Sequence, residues 1–332
     1  MRGRLFEERR FGVRRRAFVV LMIVLFACSC SGSRERDTAV KLVVFHAGSL
    51  SVPMREMAEA FEREHPGVEV LLEAAGSRAC ARKITDLGRL CDVMASADYT
   101  VIDELLIPER AEWNIKFAAN EMAIVYRGSS RMADEIGARN WHEVLLRGDV
   151  SFGRSDPDAD PCGYRTVLAL KLAESYYGIE GLAARMLEKD TEHIRPKETD
   201  LLALLEAGAI DYIFLYRSVA EQHGLEYLVL PDEINLANPE LAGRYAAVSV
   251  EVSGKEPGTT ITKRGAPMVY GVTIPSNAPN PELAVEFVAF MLDASKGLAI
   301  MERNGQPPLV PSPTDTYTKI PERLRAFALP AE

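Results

Sequence analysis

Lys41-Leu-Val-Val-Phe45, followed by His46-Ala-Gly-Ser49, is the stretch that decides the fold class. Its first half is short, apolar and rich in β-branched residues, the pattern of a buried strand. Its second half is a turn. Beyond it Leu50, Met54, Met57 and Phe61 recur at helical spacing and define one apolar helix face. Ser49 or Ser51 is placed to cap that helix, and Pro53 suits its first turn. The same unit then repeats. Val68 to Glu73 reads as a strand, Gly76-Ser77 as a turn, and Ile84 and Leu87 lie on a helix; Asp92 to Ala95 is a third strand, before a helix through Leu105 and Leu106. Strand, turn and helix in threefold succession predict an α/β fold, a parallel sheet with helices on both faces.

Further along, Glu121–Tyr126, Val150–Phe152, Tyr212–Tyr216 and Met268–Ile274 read as strands. Helices are expected through Val167, Leu168, Leu172 and Tyr176, over Leu201–Leu205 and over Pro281–Met291. With 332 residues, the chain is long enough for two domains at about 150 residues each. Lys and Arg number 39 against 48 Asp and Glu, a net charge of −9. That balance excludes general nucleic-acid binding, which needs clustered cations against phosphate.

The N-terminus reads as an address. Seven arginines within residues 1–16 precede an apolar run of eleven residues, Ala17 to Ala27. A membrane-spanning helix needs about 20, whereas this pattern is that of a secretory signal peptide. The run ends in Leu25-Phe-Ala-Cys28-Ser-Cys30, which resembles a bacterial lipobox, with Cys28 as the lipidated residue and Cys30 as the fallback. Residues 1–27 are thus expected to be removed and 28–37 to form a tether. The remaining chain carries a net charge of −14 outside the cytoplasmic membrane. Cys80, Cys91 and Cys162 form no CxxC pair; a Cys80–Cys91 disulfide and three unpaired core thiols are both compatible with the spacing.

Three corners share one physical design. Ser49, Ser77 and the Cys162-Gly163-Tyr164 turn each stand at the start of a helix, where unpaired N–H groups and the helix dipole favour an anion. In a parallel sheet such turns gather at the carboxyl ends of the strands. Gly48, Gly76 and Gly163 let the backbone come close. Plain helix capping explains any one corner equally well. An acidic protein repels an anion at long range, so binding would rest on local dipoles and hydroxyls, with no Lys or Arg required. Charge-assisted hydrogen bonds of about 1.5–3 kcal/mol each, five to seven of them, reach the roughly 10 kcal/mol gross that micromolar to nanomolar binding requires.

Other constellations carry less. Asp156, Asp158 and Asp160 are interrupted by Pro157 and Pro161 and lack a loop-closing Glu, which disfavours a calcium loop. His142-Glu143 lacks the second His of a zinc protease helix, and no G-x-S-x-G, G-x-G-x-x-G or P-loop appears. Trp113, Trp141, Tyr176 and Tyr177 read as packing aromatics.

At the three corners the sequence resembles the tungstate/molybdate-binding proteins of ABC importers, in their tungstate-type branch. The segments that carry the resemblance are Val44-Phe-His-Ala-Gly-Ser-Leu-Ser51, Ala81-Arg-Lys-Ile-Thr85, Asp92-Val-Met-Ala-Ser-Ala-Asp-Tyr99, Phe152-Gly-Arg-Ser-Asp-Pro157, Asp160-Pro-Cys-Gly-Tyr-Arg165, Leu230-Pro-Asp-Glu-Ile-Asn-Leu236 and Val269-Tyr-Gly-Val-Thr-Ile-Pro275. The resemblance implies a two-lobed, type II periplasmic binding protein with two crossing strands as its hinge. Lobe one would be residues 38–118 plus 267–332, and lobe two 119–266, with crossings near Asn120 and Pro267.

It also implies Gly48, Ser49 and Ser77 as donors from the first lobe and Cys162, Gly163 and Tyr164 from the second. Asp160 would be a carboxylate beside the metal. The branch's second carboxylate lies in a Phe-Glu-Tyr sequence, and this chain reads Phe214-Leu215-Tyr216 there. The related molybdate branch implies instead that Tyr216 donates its hydroxyl and Glu198 its backbone N–H, giving a tetrahedral or five-coordinate site. The expected function is capture of intact molybdate or tungstate for a permease and its ATPase, by a monomer with no cofactor, no catalysis and a lipid anchor. A sulfate- or phosphate-type binder, an extracytoplasmic hydrolase using Asp160 as base, and a ligand-free sensory or adhesive lipoprotein are the rivals.

Overall fold

The computed structural model describes residues 39–189 and 191–331. The expected signal peptide, Cys28, Cys30 and the expected tether lie outside the described residues. In chain order the strands are β1 (Val40–Ala47), β2 (Val68–Ala75), β3 (Val93–Ser96), β4 (Ile115–Ala119), β5 (Met122–Tyr126), β6 (Phe152–Ser155), β7 (Ile194–Arg195), β8 (Tyr212–Tyr216), β9 (Glu226–Val229), β10 (Ser249–Ser253), β11 (Thr260–Arg264), β12 (Val269–Thr273), β13 (Ser312–Thr314) and β14 (Ala328–Pro330). One five-stranded sheet has the order β2-β1-β3-β12-β4, and a second has the order β7-β6-β8-β5-β9. The chain passes between them at Asn120–Glu121, from β4 into β5, and returns between β11 and β12.

The parallel expectation holds for β1, β2 and β3, with Val40 to Ala47 in continuous register with Val68 to Ala75. It does not extend to the whole sheet. β12 enters antiparallel to both β3 and β4, because it arrives from the other sheet without a crossover helix. The second sheet is mixed as well, with β5 antiparallel to β8 and β9. All five β8 residues are buried, in keeping with a central strand covered on both faces.

Packing follows the apolar spacing. Leu50, Met54, Met57 and Phe61 are fully buried, and Phe61 meets Phe287 and Phe290 of the Pro281–Leu292 helix edge-on, with ring centroids 5.2 and 5.6 Å apart. Truncating such an aromatic to Ala costs about 3–5 kcal/mol. Trp113 and Trp141 are buried, and Trp141 donates to the Tyr177 hydroxyl at 3.1 Å. Cys80, Cys91 and Cys162 are buried free thiols. Among the described residues, no helix is long and apolar enough to cross a membrane.

Candidate functional site

Ser49 follows β1 within a short 3-10 turn, Gly48–Leu50, that runs into the Ser51–Glu64 helix. Ser77 opens the Ser77–Thr85 helix after Gly76. Neither hydroxyl caps its helix. The residues at the cap positions are Ala47, Leu50 and Gly76, none of which supplies a side-chain bond, and Ser51 Oγ donates instead to the Gly48 carbonyl at 2.6 Å. Capping therefore does not account for these two serines.

Their hydroxyls are instead fixed from behind. Tyr270 on β12 donates to Ser49 Oγ at 2.9 Å, and the Ala97 N–H donates to Ser77 Oγ at 2.9 Å. Tyr216, at the end of β8, is treated alike: its hydroxyl accepts from the Arg165 guanidinium at 3.0 Å. Each of the three oxygens accepts within the protein, and none donates to a protein acceptor among the described residues. Each proton is therefore available to a ligand oxygen. Burial pushes the Tyr216 hydroxyl well above the ordinary tyrosine range, against the pull of Arg165, so it keeps that proton. Tyr270 is itself held by Asn120 at the chain crossing, which donates to it at 2.8 Å, and by Gln306 at 3.3 Å.

The third corner differs. Asp160 is the N-cap of the Pro161–Tyr177 helix: its Oδ1 accepts from Cys162 N at 3.2 Å, with Pro161 in the first turn. The Gly163 N–H donates to the Asp160 carbonyl at 3.0 Å. Two of the amides expected to face a ligand are thus engaged, Cys162 N by the capping carboxylate and Gly163 N by the main-chain carbonyl of the same residue. The expected Glu198 N–H donor is engaged too, donating to Asp160 Oδ2 at 2.9 Å. Tyr164 contributes its side chain: its hydroxyl donates to Asp98, which follows β3.

The Glu198 side chain is fully buried, and its carboxyl lies against the Asp160 carboxyl and the Ser49 backbone without a hydrogen bond of normal geometry. Both oxygens lie 3.0 Å from the point where a Gly48 side chain would begin, so Gly48 makes room for this acid. Burial, and then the adjacent Asp160 carboxylate, hold the Glu198 acid well above the normal carboxyl range. Burial also raises Asp160.

The corners are knitted together. Gly76 touches the Asp160 loop so closely that a Cβ would stand 2.3 Å from the Ala159 carbonyl oxygen, to which Ala79 N donates at 3.1 Å. A Cβ on Gly163 would stand 2.5 Å from the Ser155 carbonyl oxygen. Arg165 donates both to Tyr216 and, at 2.8 Å, to Ala97 O on the facing side. Gly48, Ser49, Ser77, Asp160, Cys162, Gly163, Tyr164, Glu198 and Tyr216 thus belong to one buried neighbourhood between the two sheets.

Sequence reasoning missed the residues behind it: Arg165, Tyr270, Asn120, Gln306 and Asp98. The cradle was expected to do without cations, yet a buried guanidinium stands one hydrogen bond behind its rim. Lys263 and Arg165 overcome the burial that would raise Asp98 and hold its carboxyl at about 2. Burial pushes the Cys80 and Cys91 thiols up to about 12 and raises Cys162, which leaves no thiolate as a ligand. Asp158 is used structurally, accepting from Ser253 N at 2.6 Å, and no group of three or more His, Cys, Asp or Glu side chains placed to hold a metal ion occurs among the described residues.

The family described as bacterial extracellular solute-binding protein matches residues 42–306. This chain belongs to that family. The bacterial extracellular solute-binding proteins are binding proteins of transport rather than enzymes, and their ligand is a solute, not a cofactor. An uncharacterized solute-binding protein of Petrotoga mobilis is 53% identical over 292 residues, 88% of this chain and 91% of the relative. A molybdate/tungstate-binding protein WtpA of Pyrococcus abyssi is 41% identical over 338 residues, 92% of this chain and 96% of the relative. The periplasmic molybdate-binding protein of Azotobacter vinelandii has the same fold, with a TM-score of 0.58 at 16% identity over 80% of this chain and 98% of its own. The two-lobed type II fold expected from the resemblance is the fold this family member adopts.

Proposed function

We propose that the protein is a lipid-anchored, extracytoplasmic member of this family that captures molybdate or tungstate intact and hands it to an ABC permease driven by a separate ATPase. The observation that carries the reading is the trio of buried hydroxyls. Ser49, Ser77 and Tyr216 each accept a hydrogen bond from behind and keep a proton to give. Such an arrangement recognises an acceptor-only ligand, which is what a tetrahedral oxyanion is. The relative named for molybdate and tungstate, 41% identical over most of the chain, supports the choice of oxyanion. Cys28 is the lipidated residue in this reading.

Lobe one comprises residues 38–118 plus 267–332 and lobe two 119–266. The two crossing segments act as the hinge. An open form admits the oxyanion, and closure brings Ser49 and Ser77 from one lobe against Asp160, Cys162, Gly163, Tyr164 and Tyr216 from the other. The closed form docks on the permease. No bond of the ligand's oxo groups is cut and no cofactor takes part.

Calorimetry with tungstate, molybdate and sulfate tests the reading. Tungstate and molybdate are expected to bind at micromolar or better and sulfate far more weakly. Ser49→Ala, which removes one charge-assisted donor of about 1.5–3 kcal/mol, is expected to weaken binding by about 10- to 100-fold. Preferential sulfate binding, or no oxyanion binding at all, would refute it.

A further inference from the structure

The three hydroxyls of the cradle are not fixed in the same way. Ser77 accepts from the Ala97 N–H and Tyr216 from the Arg165 guanidinium. A main-chain N–H and a guanidinium can only donate, so neither bond can run the other way. Ser49 is different, because the group behind it is another hydroxyl, that of Tyr270. Two hydroxyls that face each other can be bridged by the proton of either one. The direction of this bond decides whether Ser49 gives a proton to the ligand or accepts one from it.

That direction is set one step further back. Gln306 Nε2 donates to the Ser49 carbonyl oxygen at 3.0 Å, and Asn120 Oδ1 accepts from Glu121 N at 2.9 Å. A carbonyl only accepts and a main-chain N–H only donates, so each side-chain amide has one orientation open to it. Each then turns an N–H toward the Tyr270 hydroxyl, Asn120 at 2.8 Å and Gln306 at 3.3 Å. Both acceptor positions of Tyr270 are filled, and its proton goes to Ser49 Oγ. Burial pushes the Tyr270 hydroxyl up to about 12, so that proton stays in place. All three residues of this relay are buried. Asn120 stands at the first chain crossing, and Tyr270 lies on β12, which follows the second.

On the reading of the protein as an oxyanion binder, we propose that Tyr270 is a specificity-determining positioning residue: held as a donor by Asn120 and Gln306, it turns the Ser49 proton toward the ligand and so selects an oxyanion that carries no proton of its own. A singly protonated oxyanion has to direct its O–H at an acceptor. With Ser49, Ser77 and Tyr216 all donating, none of the three hydroxyls accepts it. Ser77 and Tyr216 are locked in this role by groups that cannot accept. Ser49 alone is set through a group that can reverse, so the selectivity is adjustable at this one position.

Calorimetric displacement of tungstate by sulfate and by hydrogen phosphate, at mildly alkaline pH, tests the assignment in wild type, Tyr270→Phe and Asn120→Asp. The two competitors are tetrahedral dianions of nearly one size that differ by one proton. Wild type is expected to favour sulfate. Tyr270→Phe leaves Ser49 Oγ free to accept, and the preference for sulfate is expected to shrink by about 10-fold, the scale of one hydrogen bond in the cradle. Asn120→Asp replaces the donor behind Tyr270 with an acceptor and reverses the relay, so that Ser49 donates to Tyr270 and accepts from the ligand. Tungstate affinity is then expected to fall by about 10- to 100-fold, and the preference to pass to hydrogen phosphate. The added charge meets both competitors alike and cancels in their ratio, as do the other groups of the site. A merely structural role would weaken both competitors by one factor. A sulfate-to-phosphate ratio that is the same in wild type and in every folded variant, absent competition included, overturns the proposal, as does a wild type that prefers hydrogen phosphate; tungstate binding in the same titrations leaves the oxyanion reading intact. A wild type that binds no oxyanion sinks both. Thermal melts identify the folded variants, and either variant alone decides the ratio.

Discussion

His46 is the penultimate residue of β1, two residues before Gly48, and its ring is buried with Nδ1 2.8 Å from the Ala47 carbonyl oxygen. Burial drives its pKa from 6.5 down to about 4. The unfolded chain takes up this proton near 6.5 and the folded chain only near 4. Stability is thus complete above 6.5 and drains away as pH falls toward 4, by about 3 kcal/mol if nothing else titrates. Urea melts of wild type and His46→Gln at pH 7 and pH 4.5 isolate this contribution, since all other groups cancel in the difference. The variant is expected to lose less stability between the two pH values. Equal losses in both would mean that the ring is charged in the fold. Tyr216 offers a second residue-scale check. Tyr216→Phe deletes a donor and leaves the Arg165 guanidinium with one partner fewer, so oxyanion affinity is expected to drop by about 10- to 100-fold while the melting temperature moves little. Calorimetry reads the first effect and a thermal scan the second.

Among the elements, the Pro161–Tyr177 helix joins the two halves of the chain through two adjacent side chains. Its second turn sends Tyr164 to Asp98 and Arg165 to Ala97 O, both beyond the end of β3. Lys263, at the end of the β10–β11 ribbon, closes the cluster from above: it donates to Thr100 Oγ1 at 2.5 Å and pairs with Glu104 at 2.7 Å. Breaking one member leaves buried charge unsatisfied. Asp98→Asn is expected to destabilise by about 3 kcal/mol or more, and Tyr164→Phe by less, about 1–3 kcal/mol, measured by denaturant unfolding. This cluster also marks where sequence reading stops. The strands and helices were legible because β-branched runs and the Leu50, Met54, Met57, Phe61 spacing are local signals. The three helix starts were legible for the same reason. The Asp160-Pro161 pair was a readable cap signal, an Asp followed by Pro in the first turn, and it places the helix start one residue earlier than Cys162. Tyr270 against Ser49, Asn120 against Tyr270, and Gln306 against Ser49 join residues more than a hundred positions apart. Periodicity carries no trace of such contacts. The antiparallel entry of β12 was hidden likewise, because its sequence gives a strand but not its direction.

For the molecule as a whole, the decisive contact is where the first sheet's turns meet the second sheet's loops. Arg78 donates to Ser253 O and, at 3.2 Å, to Asp158 O; Arg82 donates to Gly254 O at 3.0 Å. These bonds hold the rim, yet the closest approach is at Gly76, where any Cβ would collide with backbone at Ala159 and Pro196. Backbone cannot swing aside as a flexible side chain can. Gly76 has φ −58° and ψ 141°, a conformation open to any L-residue. Alanine there is unstrained within its own half, so its whole effect falls on how near the two halves come. Gly76→Ala is therefore expected to fold normally, with a ligand-free melting temperature close to wild type, while oxyanion binding weakens by at least the ~10-fold that one lost hydrogen bond in the cradle would cost. Small-angle scattering separates this from local damage. Wild type is expected to contract on adding tungstate, as a hinged protein closes on its ligand, and Gly76→Ala to keep its ligand-free radius of gyration at the same tungstate concentration. Full contraction in Gly76→Ala, with unchanged affinity, would mean that the halves need not approach this closely to bind, and the hinge would lose its place in the mechanism.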